Sequence, residues 1–228
     1  QQYDITKLSY HAFAYASDYY TLMRSGSALG KNCGPLLISK EVLTDESLNN
    51  GSICIPGKFT TANLLFSLKY PNAENKSFII FSEIENKVLD DTFDAGVIIH
   101  ENRFTYEQKG LKKIIDLGEY WEQTYKVPIP LGGIAIKRSF DAEIQKSVGR
   151  IIKRSIEFAF AHPDSSKSFV AAHSQEMSED VCRQHINLYV NKYSVELGFD
   201  GEYAVNTLYK IAQEHKIIPE LNKSIFVE

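Results

Sequence analysis

The sequence predicts an α/β fold of two lobes, and three observations carry the prediction. Short apolar runs of strand length alternate with longer amphipathic stretches, the pattern of strands joined through helices into a largely parallel sheet. The alternation stops near Ser139, and the chain beyond it reads as helical. With 228 residues, 43% of them hydrophobic and 24% charged, the chain can bury a core of domain size and has no bias toward disorder.

The elements follow in order. Ile5 to Ser9 reads as a strand, His11 to Ala16 as a short helix and Tyr20 to Arg24 as a second strand, ahead of a Gly- and Ser-rich loop from Ser25 to Lys31. Gly34 to Ser39 is the next strand, and Thr44 to Asn50, polar and turn-rich, reads as a linker or hinge. Strands Ser52 to Ile55, Ser77 to Phe81 and Ala95 to Ile99 then alternate with helices Thr61 to Tyr70 and Ile84 to Thr92. Tyr106 to Tyr125 mixes helix with an extended piece at Lys113 to Leu117, and Gly133 to Ile136 closes the strand series. The last third reads as helices Phe140 to Ala161, Ser166 to His173, Ser178 to Val190 and Gly201 to His215. Pro163 ends the first of these because its ring blocks the i to i−4 bond, and Ser178 followed by Glu179 and Asp180 is a helix-start signal. The simplest assembly has one contiguous lobe over residues 42–137 and another built from residues 1–41 with 138–228. Two crossings between lobes make a hinge and a cleft, where ligand sites concentrate.

Charge and cysteine usage narrow the class. With 25 Lys and Arg against 29 Asp and Glu, net charge −4, the chain lacks the cationic block that nucleic-acid binding needs. Arg150, Lys153 and Arg154 sit at helical spacing and read as a solvated helix face. No apolar run approaches the ~20 residues that span a bilayer. Cys33, Cys54 and Cys182, odd in number and without a CxxC pair, signal neither a disulfide framework nor a zinc site, so a cytoplasmic location is expected. The sequence opens at Gln1-Gln2-Tyr3-Asp4 with no apolar signal segment and enters a strand almost at once, as the middle of a domain does.

Four stretches bring together residue types that can do chemistry. In Gly51 to Asn63 a strand ends at Pro56-Gly57 and a Thr60-Thr61-Ala62 run opens a helix. Either a threonine caps that helix, or its N–H groups and hydroxyls form an anion site suited to a carboxylate. The GxxxxGK[ST] order of a phosphate loop is absent. In Asp94 to Thr105 an apolar strand runs into His100, where open α/β sheets place reactive groups. His100 is either structural or a base for a substrate hydroxyl, since imidazole titrates near neutrality. His100-Glu101 has no second histidine at zincin spacing, so no metal is expected. Ile5 to Ala12 delivers Ser9 and His11: Ser9 caps the following helix or contacts a ligand, and His11 reads as a helix-start residue. Pro128 to Ala135 holds two prolines and a glycine pair, fitting close backbone packing at a hinge or against a ligand. No GxSxG elbow is present, and no cysteine sits in a nucleophile motif.

Together, Leu8 to Ala12, Arg24 to Gly30, Cys33 to Leu37, Ile55 to Ala62, Asp94 to Glu101, Arg103 to Tyr106 and Pro128 to Gly133 resemble the 1,4-dihydroxy-6-naphthoate synthase family of the futalosine route to menaquinone. The likeness covers nearly the whole chain. It implies a two-lobed type II periplasmic-binding-protein-like fold, no cofactor, and a small-molecule substrate, cyclic dehypoxanthinyl futalosine, cleaved at a C–C bond to the naphthoate. By the same resemblance His100 is the catalytic general base, Thr61 and Ala62 are the substrate-contacting pair with Thr60 beside them, and Ser9 is a further polar contact. Lobe closure would then shield a carbanion-like intermediate from water. Family members open with a βα unit carrying Ser, Pro, Cys and Asn-Asp, and that unit is missing from this sequence, so the first lobe is expected to be incomplete. Two other readings stand beside this one. A non-catalytic solute-binding protein of the same fold gives His100 no proton to remove, and a chorismate dehydratase-like enzyme fits the His-Glu and Thr-Thr-Ala segments less well.

Overall fold

A computed structural model describes residues 2–173 and 178–227, with every side chain among them except that of Glu101. Its strands are β1 (Ile5–Ser9), β2 (Tyr20–Leu22), β3 (Ala28–Gly30), β4 (Leu36–Ser39), β5 (Ile53–Ile55), β6 (Lys76–Phe78), β7 (Ala95–Ile98), β8 (Lys112–Asp116) and β9 (Ile129–Lys137). Its helices are α1 (Tyr10–Ala14), α2 (Asp45–Asn50), α3 (Thr61–Lys69), α4 (Ile84–Leu89), α5 (Leu117–Tyr125), α6 (Ala142–Ala161), α7 (Lys167–His173), α8 (Glu179–Tyr189), α9 (Lys192–Val195) and α10 (Gly198–Glu214). The chain divides into two compact units, one running to Gly30 and resuming at Pro130, the other spanning Lys31–Ile129.

In the first unit β9 lies between β1 and β2 and pairs antiparallel with both, Ser9 opposite Gly132 and Tyr20 opposite Lys137. This corrects the expectation of a largely parallel sheet: an apolar run marks a strand but carries no direction. β9 is also longer than expected, since Pro130 and Gly132 lie inside it. A side chain at Gly132 would meet the Leu8 carbonyl at 2.7 Å, so the close approach of β1 requires glycine there. The face of α10 carrying Ala204, Val205, Leu208 and Ala212 is fully buried, and the Tyr209 ring stands edge-on to Tyr10. α6 packs Val148 and Ile152 against Met23, Ile136 and Val227, with Ile144, Ile151 and Phe158 exposed on its outer side. Its hydrophobic stripe is what makes it a helix, and His162-Pro163 stops it as expected.

The second unit is a five-stranded sheet in the order β6-β5-β7-β4-β8. β6, β5 and β7 run parallel, while β4 lies antiparallel between β7 and β8. A core of Leu36, Ile38, Cys54, Ile84, Val88, Ile98, Tyr106 and Leu111 fills one side of this arrangement. Residues 44–50, expected as a linker, are a capped helix. Thr44 accepts a hydrogen bond from the Ser47 N–H at 3.1 Å, Asp45 and Glu46 occupy the first turn, and Leu48 is fully buried. A polar stretch with one well-placed apolar side chain satisfies a helix as readily as a loop. Among the described residues no helix is long and apolar enough to cross a membrane.

Candidate active site

Strand direction gathers the candidate residues of the second unit. Because β5, β6 and β7 are parallel, the turns that follow Ile55, Phe78 and Ile98 leave the sheet at one edge. Leu36 sits opposite both Ile98 and Asp116, so the start of β4 and the end of β8 reach the same edge. Open α/β sheets bind ligands beyond such carboxyl ends.

The turn after β5 is held by neighbours in sequence. Thr60 is the N-cap of α3; its hydroxyl donates to the Gly57 carbonyl at 2.7 Å and accepts from the Asn63 N–H at 3.2 Å. The Asn63 side chain in turn donates to the Lys58 carbonyl at 2.7 Å. The first i to i−4 bond of the helix runs from Leu64 to Thr60, so the N–H groups of Thr61 and Ala62 precede the ladder. Both residues are buried, 4% and 2% exposed, at the end of a helix whose N–H groups and dipole favour an anion.

The turn after β7 is held by distant partners. His100 follows Ile98 by two residues and opens a 3-10 segment, His100–Phe104. Its φ is +58°, a left-handed conformation that costs a non-glycine residue about 1–3 kcal/mol and persists only where surroundings over-determine it. The ring is exposed and meets Phe81 edge-on at 5.3 Å. Three residues on, Arg103 reaches back into the sheet edge. Its guanidinium pairs with Asp116 Oδ2 at 2.6 Å and donates to the Gly34 carbonyl. The other Asp116 oxygen accepts the Gly118 and Glu119 N–H groups at 2.9 and 3.1 Å, capping α5. Gly34 and Gly118 touch backbone to backbone there, a side chain on Gly34 falling 2.3 Å from the Gly118 Cα. A second anchor comes from α4: Glu85, 1% exposed, takes the Lys109 ammonium at 2.6 Å and the Asn102 side-chain amide on Oε2. Its other oxygen, Oε1, is buried without a partner. Periodicity gives no sign of these anchors, which join residues 13 and 69 positions apart through Arg103 and 17 and 24 apart through Glu85.

Ser9 belongs to the first unit. Its hydroxyl accepts from the Ala12 N–H at 3.0 Å as the N-cap of α1, and His11 is buried in that short helix with its ring 5.8 Å from Tyr15. Thr60, Thr61, Ala62 and His100 thus share one sheet edge of the second unit, and Ser9 is capped into the other unit.

The family model described as menaquinone biosynthesis matches residues 1–214. The chain belongs to that family. Two proteins named 1,4-dihydroxy-6-naphthoate synthase are similar to it: one from Thermus thermophilus, 36% identical over 98% of this chain and 81% of its own, and one from Streptomyces coelicolor, 38% identical over 96% and 78%. A crystal structure of a protein from Archaeoglobus fulgidus superposes with a TM-score of 0.89 at 33% identity, covering 95% of this chain and 81% of that one. The ligand-binding component of an ABC-type import system from Staphylococcus aureus, 12% identical over 99% of this chain and 78% of that one, shares the fold with a TM-score of 0.68. The two-lobed periplasmic-binding-protein type of fold is thereby that of this family member as well.

Thiol chemistry has little purchase in this member of the family. Burial pushes Cys33 and Cys54 up to about 12, so both stay protonated at neutral pH and neither is a ready nucleophile. Among the described residues no three His, Cys, Asp or Glu side chains gather as a metal site.

Proposed function

We propose that this chain is a carbon–carbon lyase of menaquinone biosynthesis, a 1,4-dihydroxy-6-naphthoate synthase acting on cyclic dehypoxanthinyl futalosine. The observation that supports the reading most is its identity, over nearly its full length, to two relatives of that name. His100 is the general base. It stands exposed beyond the end of β7, and imidazole is the side chain suited to taking a proton near neutrality. It removes the proton of a substrate hydroxyl, that oxygen becomes a carbonyl, and the adjacent C–C bond breaks in a retro-aldol-like step. The bonding pair passes to the fragment that becomes the aromatic naphthoate, and aromatisation drives the cleavage.

Thr60, Thr61 and Ala62 hold the substrate carboxylate at the N-terminus of α3, whose amides and dipole favour an anion. Ser9 is a further polar contact. A hydroxyl offers one donor and two acceptor positions, so capping a helix and touching a ligand are compatible on the same side chain. The cytoplasm is the proposed location, which suits three cysteines joined in no disulfide.

The test mixes the purified protein with the cyclic futalosine derivative and follows the naphthoate by mass. Conversion is expected, and His100→Ala is expected to bind the substrate yet turn over at least ~100-fold more slowly, the usual share of a general base. Near-normal turnover by that variant would remove His100 from the mechanism. Binding without conversion by the unaltered protein would favour a solute-binding role, which the shared fold also serves.

A further inference from the structure

The His100 turn poses a physical question that the base role leaves open: what keeps a non-glycine residue left-handed at the exposed end of a strand? Ile99 before it is extended and caps the segment with no side-chain hydrogen bond. The Phe81 ring touches the imidazole but offers no hydrogen bond to the backbone. Two side chains of the turn reach distant partners: Asn102 bonds the buried Glu85 of α4, and Arg103 ties the turn to the sheet itself. Its charged head is 15% exposed and that of Asp116 7%, so the pair is largely shielded from water. Arg103 bonds two different strands at once, β8 through Asp116 and the entry to β4 through Gly34, and Asp116 is itself fixed by two N–H groups of α5. A planar fork with several donors is the group that can make such a double attachment, and a lysine at the same position cannot reproduce it. Three residues of chain reach no more than about 10 Å, so fixing Arg103 keeps His100 close to the sheet edge.

We propose that Arg103, locked to Asp116 and the Gly34 carbonyl, is the positioning residue that holds His100 in its left-handed backbone and so aims the base at the substrate. The inference rests on the reading of His100 as the general base. Arg103 acts through His100 and does not touch the substrate, so its loss changes turnover and leaves substrate affinity alone.

The experiment measures kcat and KM for cyclic dehypoxanthinyl futalosine in the full chain carrying Arg103→Lys, Arg103→Ala or Asp116→Asn, with rates referred to the folded fraction from circular dichroism. Asp116→Asn keeps an oxygen to cap α5 while removing the charge, so it remains informative if the arginine variants fold poorly. A fall in kcat of about 100-fold, the scale of a misplaced reacting group, is expected with KM changed by less than about threefold. Guanidinium ion added to Arg103→Ala is expected to restore part of the lost kcat, which a purely structural role would not predict. Folded Arg103→Lys and Asp116→Asn proteins with kcat within about threefold of the unaltered chain would overturn the proposal, and so would a KM rise that matches the loss, since the guanidinium would then be binding substrate. His100→Ala in the same assay separates the two ideas. Retained turnover there sinks the base reading and this inference with it, whereas an inactive His100→Ala beside a normal Arg103→Lys sinks the inference alone.

Discussion

Two turns leave the same edge of the second unit's sheet, and they are built on opposite principles. In the turn after β5, Thr60, Gly57, Asn63 and Lys58 bond one another within seven residues of chain. The turn after β7 carries an unfavourable backbone at His100 and borrows its rigidity from β4, β8, α4 and α5. A group that only presents N–H donors can be set by local capping. The His100 turn draws in addition on partners far along the chain.

The sharpest way to break this contrast is Asp116→Ala, which strips the Arg103 charge of its partner in a largely buried place and uncaps α5. A loss of about 3–5 kcal/mol is expected, the cost of orphaning one member of a buried pair, measured by urea denaturation. A smaller loss, near that of a surface pair, would mean that Arg103 finds water easily and that the turn is not held from a distance. Thr60→Ala probes the other turn and should cost only about 1 kcal/mol, the usual value of an N-cap, with the effect confined to the start of α3 in amide exchange. If its effect spread to the β7 turn, the two would be coupled and the contrast false.

The smallest effect is expected from Asp94→Asn, at the opposite ends of β5 and β7. Hydrogen bonds from the Ser52 N–H and hydroxyl hold the Asp94 carboxyl below its ordinary range. A carboxyl depressed in the folded state contributes stability above its unfolded pKa and loses it as pH falls through the folded value. The variant should therefore be slightly less stable than the unaltered chain at neutral pH, with the gap closing in acid. Denaturation midpoints followed from pH 7 to strongly acidic conditions check this. A gap that widens in acid would contradict the sign.

What could be read in the sequence follows the same division. Thr60 as a cap, Ser9 as a cap, the helix start at Ser178 and the stop at Pro163 are local signals, and each is realised in the structure. His100 at a strand end is legible for the same reason, since an apolar run followed by a histidine is a pattern of adjacent residues. The antiparallel course of β9 and the burial of Leu48 in α2 were not, because both depend on what the chain meets after folding. The hold on His100 is hidden most completely. Arg103 and Asp116 look like two ordinary charges on a polar stretch until β4 and β8 bring Gly34 and Asp116 beside the turn.

The shielding of the Arg103–Asp116 pair also sets how the molecule responds to ionic strength. Mobile ions at physiological concentration damp interactions between exposed charges beyond roughly 8 Å but reach a desolvated pair poorly. Rising salt should therefore weaken outer pairs such as Lys112–Glu41 on the far side of β4 and β8, where both partners face solvent, while the backbone angle at His100 stays as it is.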